Sequence, residues 1–101
     1  MVKEDQEQSP QLESVLQRRI LNYARTMPGV VCFKVMLANE NGVPDLLCCV
    51  NGKFVAVEIK GSGGKVSSLQ KAQMDRITKA GGVAVIVRTL GDFINLLGEQ
   101  L

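Results

Sequence analysis

The chain contains no histidine and no tryptophan. Without histidine, Ser-His-Asp and Cys-His nucleophile machinery, His-ligated zinc and every hydrolase with an imidazole base are excluded. Acid–base or metal chemistry must then rest on carboxylates, Lys, Tyr or Cys. Aromatic residues are scarce, at 4% (Tyr23, Phe33, Phe54 and Phe93), which argues against single-strand binding on stacked aromatic platforms. No apolar run approaches the roughly 20 residues of a membrane span, and no basic-then-apolar leader opens the chain. Cys32, Cys48 and Cys49 are odd in number, and two of them are neighbours in an apolar stretch. They read as small buried hydrophobes of a reducing compartment rather than as disulfide or zinc ligands. The expected location is cytoplasmic.

What is present fits one domain: 101 residues, 46% hydrophobic, carry enough apolar mass for one core. Residues 1–8 are polar and expected to fray, leaving residues 9–101 as the folded unit. The net charge of +2 hides an uneven distribution. Residues 14–39 hold no acid but contain Arg18, Arg19, Arg25 and Lys34. Between residues 60 and 79, Lys60, Lys65, Lys71, Arg76 and Lys79 face only Asp75. Glu13, Asp45 and Glu58 stand apart from their neighbours. Basic surface around a few isolated carboxylates suits a protein that holds a polyanion and a metal, although two solvated helix faces would look the same.

Ser9-Pro10 reads as an N-cap and first helical residue. Leu12, Leu16, Ile20, Tyr23 and Met27 recur at helical spacing, which predicts a helix from about residue 10 to 26 or 27, broken by Pro28-Gly29. Residues 30–37 are rich in β-branched and aromatic types and read as a strand. After a loop over residues 39–44, residues 45–50 and 53–60 are strand-like runs separated only by Asn51-Gly52, a strong hairpin signal. Gly61-Ser62-Gly63-Gly64 is a loop. Ser67 and Gln70 form a capping box for a helix that reaches Ala80 and stops at Gly81-Gly82. Residues 83–88 form another apolar strand, and Thr89 with Asp92 caps a short final helix to about Leu97. The order is α-β-β-β-α-β-α, an α/β or α+β sandwich of sheet and helices.

The two-residue turn sets a register: Val50 faces Lys53, Leu47 faces Ala56, and Asp45 falls opposite Glu58. Side chains alternate along a strand, so Lys60 shares the face of Glu58. Directly opposed like charges destabilise a sheet unless something positive lies between them. A hard divalent cation such as Mg²⁺ does this well, since it takes carboxylate oxygens and retains waters. Lys60 is then placed to position or deprotonate one of those waters, and it stabilises charge developing on a phosphate. The same residues would also make a plain Asp45–Lys60 or Glu58–Lys60 ion pair at a solvated sheet end. A bulge would move Asp45 to the other face.

Gly42-Val43-Pro44-Asp45 followed by Glu58-Ile59-Lys60 resembles the P-D…E-x-K core of the PD-(D/E)XK nuclease superfamily. The fuller pattern resembles its virus-type replication-repair nuclease branch, the VRR-NUC domain: Glu13 on an early helix, G-V-P-D-L at residues 42–46, V-E-I-K at 57–60, G-G-K-V-S-S-L-Q at 63–70 and V-A-V-I-V at 83–87. The resemblance runs from Pro10 to Leu97. It implies a restriction-endonuclease-like core, a central mixed sheet flanked by helices. It also implies that Asp45 and Glu58 ligate Mg²⁺ or Mn²⁺, with the Ile59 carbonyl adding an oxygen and Lys60 activating water. Glu13 would complete the acidic cluster or hold a metal-bound water, and Gln70 would support the site. Each has a plainer role: Glu13 as a first-turn acid favoured by the helix dipole, Gln70 as half of the capping box, Gln73 as a surface residue of the same helix. Gly63-Gly64 would let a DNA backbone approach closely, and Arg18, Arg19, Lys65 and Lys71 are candidate phosphate contacts that carry no sequence readout.

The expected function is a metal-dependent DNA endonuclease. The resemblance points to branched DNA, including four-way (Holliday) junctions, and to a phage or prophage context. Two symmetric incisions on a junction call for two sites, hence a homodimer, for which Cys32, Val35, Leu37, Leu96 and Leu97 are surplus apolar residues. The alternatives are a non-catalytic nucleic-acid-binding or assembly module, and a nuclease of duplex or flap DNA.

Overall fold

In the first helix, α1 (Gln11–Arg25), Leu16, Ile20 and Ala24 turn inward along one stripe, as an amphipathic helix requires. The computed structural model from which this is taken describes residues 11–100. The fraying expected of residues 1–8 and the Ser9-Pro10 start lie outside that range. The helix ends before Pro28-Gly29, where Gly29 adopts φ +80° and its carbonyl accepts the Asn51 N–H at 2.8 Å. A side chain at Gly29 would strike the Asn51 amide.

Strands β1 (Val30–Lys34), β2 (Leu46–Val50), β3 (Lys53–Ile59) and β4 (Val83–Val87) form one sheet in that spatial order. The β1–β2 and β2–β3 pairs are antiparallel and β3–β4 is parallel. A parallel neighbour needs a crossover, supplied here by α2 (Ser68–Lys79). Its capping box is formed in both directions, Ser67 Oγ accepting from Gln70 N and Gln70 Oε1 accepting from Ser67 N. The last helix, α3 (Leu90–Gln100), is opened by reciprocal bonds between Thr89 and Asp92. It runs past the expected stop near Leu97.

The Asn51-Gly52 turn has both residues at positive φ, +50° and +83°, the conformation that matches the twist of a hairpin. The register follows: Val50 opposite Lys53, Leu47 opposite Ala56, Leu46 opposite Val57. The first strand is shorter than residues 30–37 suggest. It pairs through Lys34–Leu46 and gains one more bond, Val35 N–H to Asp45 O at 2.9 Å. The next partner would be Pro44, which is buried and has turned out of β2. Met36 and Leu37 are left exposed.

Alternation divides the sheet. Val30, Leu46, Cys48, Val50, Val55, Val57, Ile59 and Val87 face a core completed by Leu16, Ile20, Ala24, Phe93, Leu96 and Leu97 from α1 and α3. Tyr23 meets Phe93 edge-to-face, centroids 6.4 Å apart. The opposite face carries Phe54 and Glu58 and receives α2, whose Ile77 and the following Gly82 lie against Phe54. Burial of Leu96 and Leu97 removes them from the expected dimer surface. Cys32 and Cys48 depart from the reading as free thiols: they are directly opposed across β1 and β2, with Cα atoms 4.0 Å apart, and are disulfide-bonded. Spacing along the chain cannot reveal which residues a register will oppose. Cys49, on the other face, is free and exposed.

Candidate active site

The candidate site lies at the open end of the β2–β3 hairpin, away from its turn. Continuing the observed register one step past Leu46–Val57 places Asp45 opposite Glu58. Asp45 has left β2, and its carboxylate Oδ2 accepts the Ile59 N–H at 2.7 Å. Lys60 N–H donates to Val87 O at 3.1 Å, so backbone groups at Lys60 point to β4 and those at Ile59 point to β2. The residue opposite Ile59 there is Pro44, which has no N–H to offer the Ile59 carbonyl. A proline thus stands where the ladder would otherwise occupy that oxygen.

Glu58 is only 2% exposed. Its Oε2 accepts from Gln70 Nε2 at 2.9 Å and lies 3.5 Å from Lys60 Nζ. Its Oε1 is buried without a hydrogen-bond partner. Burial raises the Glu58 pKa to about 7, and the neighbouring Asp45 charge pushes in the same direction against the opposing pull of Lys60. Gln70 bonds Glu58 through Nε2 while its Oε1 and backbone N–H complete the capping box.

Glu13 arrives from α1. Its Oε2 accepts the Gly61 N–H at 2.8 Å. The Gly61–Gly64 segment is a tight turn, Gly64 N–H donating to Gly61 O at 3.0 Å. A Cβ on Gly64 would lie 3.4 Å from both Glu13 Oε2 and Lys60 Cδ, so glycine there keeps these side chains and the turn in close company. The expected acidic cluster is looser than a cage: among the described residues, no three Cys, Asp or Glu side chains converge as a ready-made metal site. Glu13 is occupied with the turn, beside Lys60.

An unpartnered buried carboxylate oxygen is costly unless a donor or cation completes it. Glu58 Oε1, the nearby Asp45 carboxylate and the Ile59 carbonyl are all hard oxygen donors, the ligand chemistry Mg²⁺ and Mn²⁺ prefer. The residues present therefore fit a divalent cation.

Other expected residues are placed on the surface: Arg18, Arg19, Lys65 and Lys71 are exposed. Gln73 is not a surface residue. It is 8% exposed, donates to Asn41 O at 2.8 Å and accepts from Arg76, which also pairs with Glu40 at 2.7 Å. This network and the fit of Gly42 (φ +81°) against Leu69 hold the loop that delivers Asp45 onto α2. Arg88, to which its sequence neighbours assign no role, also joins the site region: its Nη1 donates to Gly61 O at 2.7 Å and Gly64 O at 2.8 Å. The available signal was its place just after β4: parallel strands bring their C-terminal ends together, so the residue after Val87 adjoins the residue after Ile59.

The chain resembles known proteins in family and fold. The family model of the VRR-NUC domain matches residues 1–89. A solved structure described as a VRR-NUC domain superposes with a TM-score of 0.75 at 22% identity, covering 88% of this chain and 97% of its own. A second, a VRR-NUC domain protein, gives 0.73 at 15% identity, covering 88% and 87%. At these identities the likeness shows the fold: a mixed four-stranded sheet flanked by helices. No curated protein sequence matches the chain.

Proposed function

This chain belongs to the VRR-NUC domain family, and from that premise we propose that it is a divalent-metal-dependent endonuclease that hydrolyses DNA phosphodiester bonds. The family makes the fold nuclease-type and DNA the implied partner. One observation carries the catalytic reading: Glu58 is buried with one oxygen unpartnered, beside Asp45 and Lys60. A structural ion pair would satisfy both oxygens, whereas a ligand site leaves one open.

In the mechanism, Asp45, Glu58 and the Ile59 carbonyl would hold Mg²⁺ or Mn²⁺, which when bound would supply Lewis-acid stabilisation of the charged phosphate oxygens. Gln70 fixes the Glu58 carboxylate by its 2.9 Å bond. Lys60, whose ammonium is 3.5 Å from Glu58, orients the attacking water and stabilises charge on the phosphate as the water oxygen bonds to phosphorus and one P–O ester bond breaks, the proton shed by the water and the one taken up by the leaving oxygen being exchanged with solvent. Arg18, Arg19, Lys65 and Lys71 contact phosphates without reading bases. So small a surface favours recognition by shape, hence branched DNA such as four-way junctions. Paired incisions on a junction favour a homodimer. Of the surplus apolar residues expected to supply its interface, Leu37 is 92% exposed, and Phe33, 70% exposed, joins it at the β1 edge.

The test is incubation with Mg²⁺ or Mn²⁺ and four-way, flap, nicked and linear DNAs, beside Glu58→Ala and Lys60→Ala. Preferential junction cleavage lost in both variants is expected, with kcat falling at least about 100-fold. Cleavage surviving both would remove the site assignment. Binding without cleavage of any substrate would favour a non-catalytic nucleic-acid-binding module, and cleavage of linear or flap DNA alone would remove the junction preference.

A further inference from the structure

The Gly61-Ser62-Gly63-Gly64 segment contains three residues without a side chain. Such a segment has wide backbone freedom and nothing of its own to pack. It nevertheless performs an exacting task, since Gly61 N–H holds Glu13 and Gly64 lies against Lys60. Apart from the Glu13 bond, it is tied from outside by one nitrogen: Arg88 Nη1 reaches the carbonyls at both ends of the turn, Gly61 O at 2.7 Å and Gly64 O at 2.8 Å. Arg88 is exposed, so its guanidinium contributes no core packing. Its backbone is fixed on both sides. Val87 O accepts the Lys60 N–H, and the Arg88 N–H donates to Asp92 Oδ2 at 2.9 Å.

Resting on the nuclease reading above, we infer that Arg88 is a positioning residue of this active site: its guanidinium clamps the Gly61–Gly64 turn, and through Gly61 N–H that turn sets the Glu13 carboxylate beside Lys60. The clamp acts on backbone oxygens, so it places Glu13 and Lys60 together from a strand that contributes no other residue to the site. Removing it frees the turn while the sheet and core remain. Misplacement of a catalytic group by about 1 Å is enough to cost on the order of 100-fold in rate.

The experiment compares Arg88→Ala, Arg88→Lys and Gly52→Ala with the unaltered protein. Gly52→Ala strains the closed end of the hairpin and lowers Tm, but touches neither Arg88 nor the glycine turn. Three quantities are read: kcat and KM on the DNA that is cut best, Gly61 amide exchange by NMR without metal or DNA, and Tm. Arg88→Ala should lower kcat about 10- to 100-fold with KM little changed and speed Gly61 exchange. Arg88→Lys, which still offers one donor nitrogen, should recover part of both. Gly52→Ala should lower Tm with kcat and Gly61 exchange unmoved. An unaltered kcat and exchange rate in Arg88→Ala would overturn the inference, as would equal losses of kcat in Arg88→Ala and Gly52→Ala. Failure of the unaltered protein to cut any DNA would remove the nuclease reading instead, and a slow Gly61 exchange in Arg88→Ala would then overturn the clamp by itself.

Discussion

The two ends of the β2–β3 hairpin are built on opposite principles. At the closed end, Asn51 and Gly52 reverse the chain by their own backbone preferences, and a Cβ at Gly52 would meet nothing within 4 Å. At the open end, Asp45, Glu58 and Lys60 depend on three other elements: α1 brings Glu13, α2 brings Gln70, and the end of β4 brings Arg88. The closed end is a local solution that sets a register. The open end is where that register becomes chemistry. Like charges meet there with donors from neighbouring elements, and one Glu58 oxygen has no hydrogen-bond partner; in the proposed reading a cation would take it.

The contrast can be broken most strongly through Glu58. Its carboxyl titrates near 4.5 when unfolded and about 7 in the folded, metal-free chain. Between those values the folded state keeps a proton that the unfolded state has lost, so stability is full below about pH 4.5 and declines as pH rises through about 7. The expected loss is roughly 3 kcal/mol, read as a falling Tm in the absence of metal. Glu58→Gln should flatten that profile, and a wild-type profile that rises over the same window would contradict the assignment. Millimolar Mn²⁺ should offset the loss, since a cation competes with the proton for the same carboxylate.

A smaller effect is expected where α2 holds the Asp45 loop. Gln73→Ala leaves the Asn41 carbonyl and an Arg76 donor without their partner. It should cost about 1–3 kcal/mol by denaturant unfolding, and also lower kcat because Asp45 loses its support. Stability loss with an unchanged kcat would separate the loop from the site. The smallest effect belongs to the closed end. Gly52→Ala meets no neighbour but must keep φ near +83°, costing about 1 kcal/mol with kcat unchanged. A loss of activity there would show that the two ends are not independent.

Much of the fold was legible because its signals are local. The apolar stripe through Leu16 and Ile20, the Asn51-Gly52 turn, and the Ser67–Gln70 and Thr89–Asp92 caps each describe a few consecutive residues, and each element forms where they place it. The hairpin register was legible for the same reason, and with it the opposition of Asp45 and Glu58. Three features were not. Gln73 looks like a surface residue on its own helix, yet it is buried by a distant loop. Leu96 and Leu97 look like surplus until α3 folds onto the sheet. Cys32 and Cys48 become partners only through pairing of β1 with β2.

By itself the sequence determined the helices, the turn, the register and the absence of imidazole, which leaves carboxylates and a lysine as the groups available at the candidate site. These follow from backbone preference and periodicity, which act over a few residues. Only the tertiary structure decided that Glu58 would be stripped of water, that Pro44 would leave the Ile59 carbonyl without a ladder donor, and that Arg88 would close over a glycine turn. Desolvation and hydrogen-bond satisfaction are set by whichever segments meet in space, and here the segments that meet are 12 to 48 residues apart in sequence.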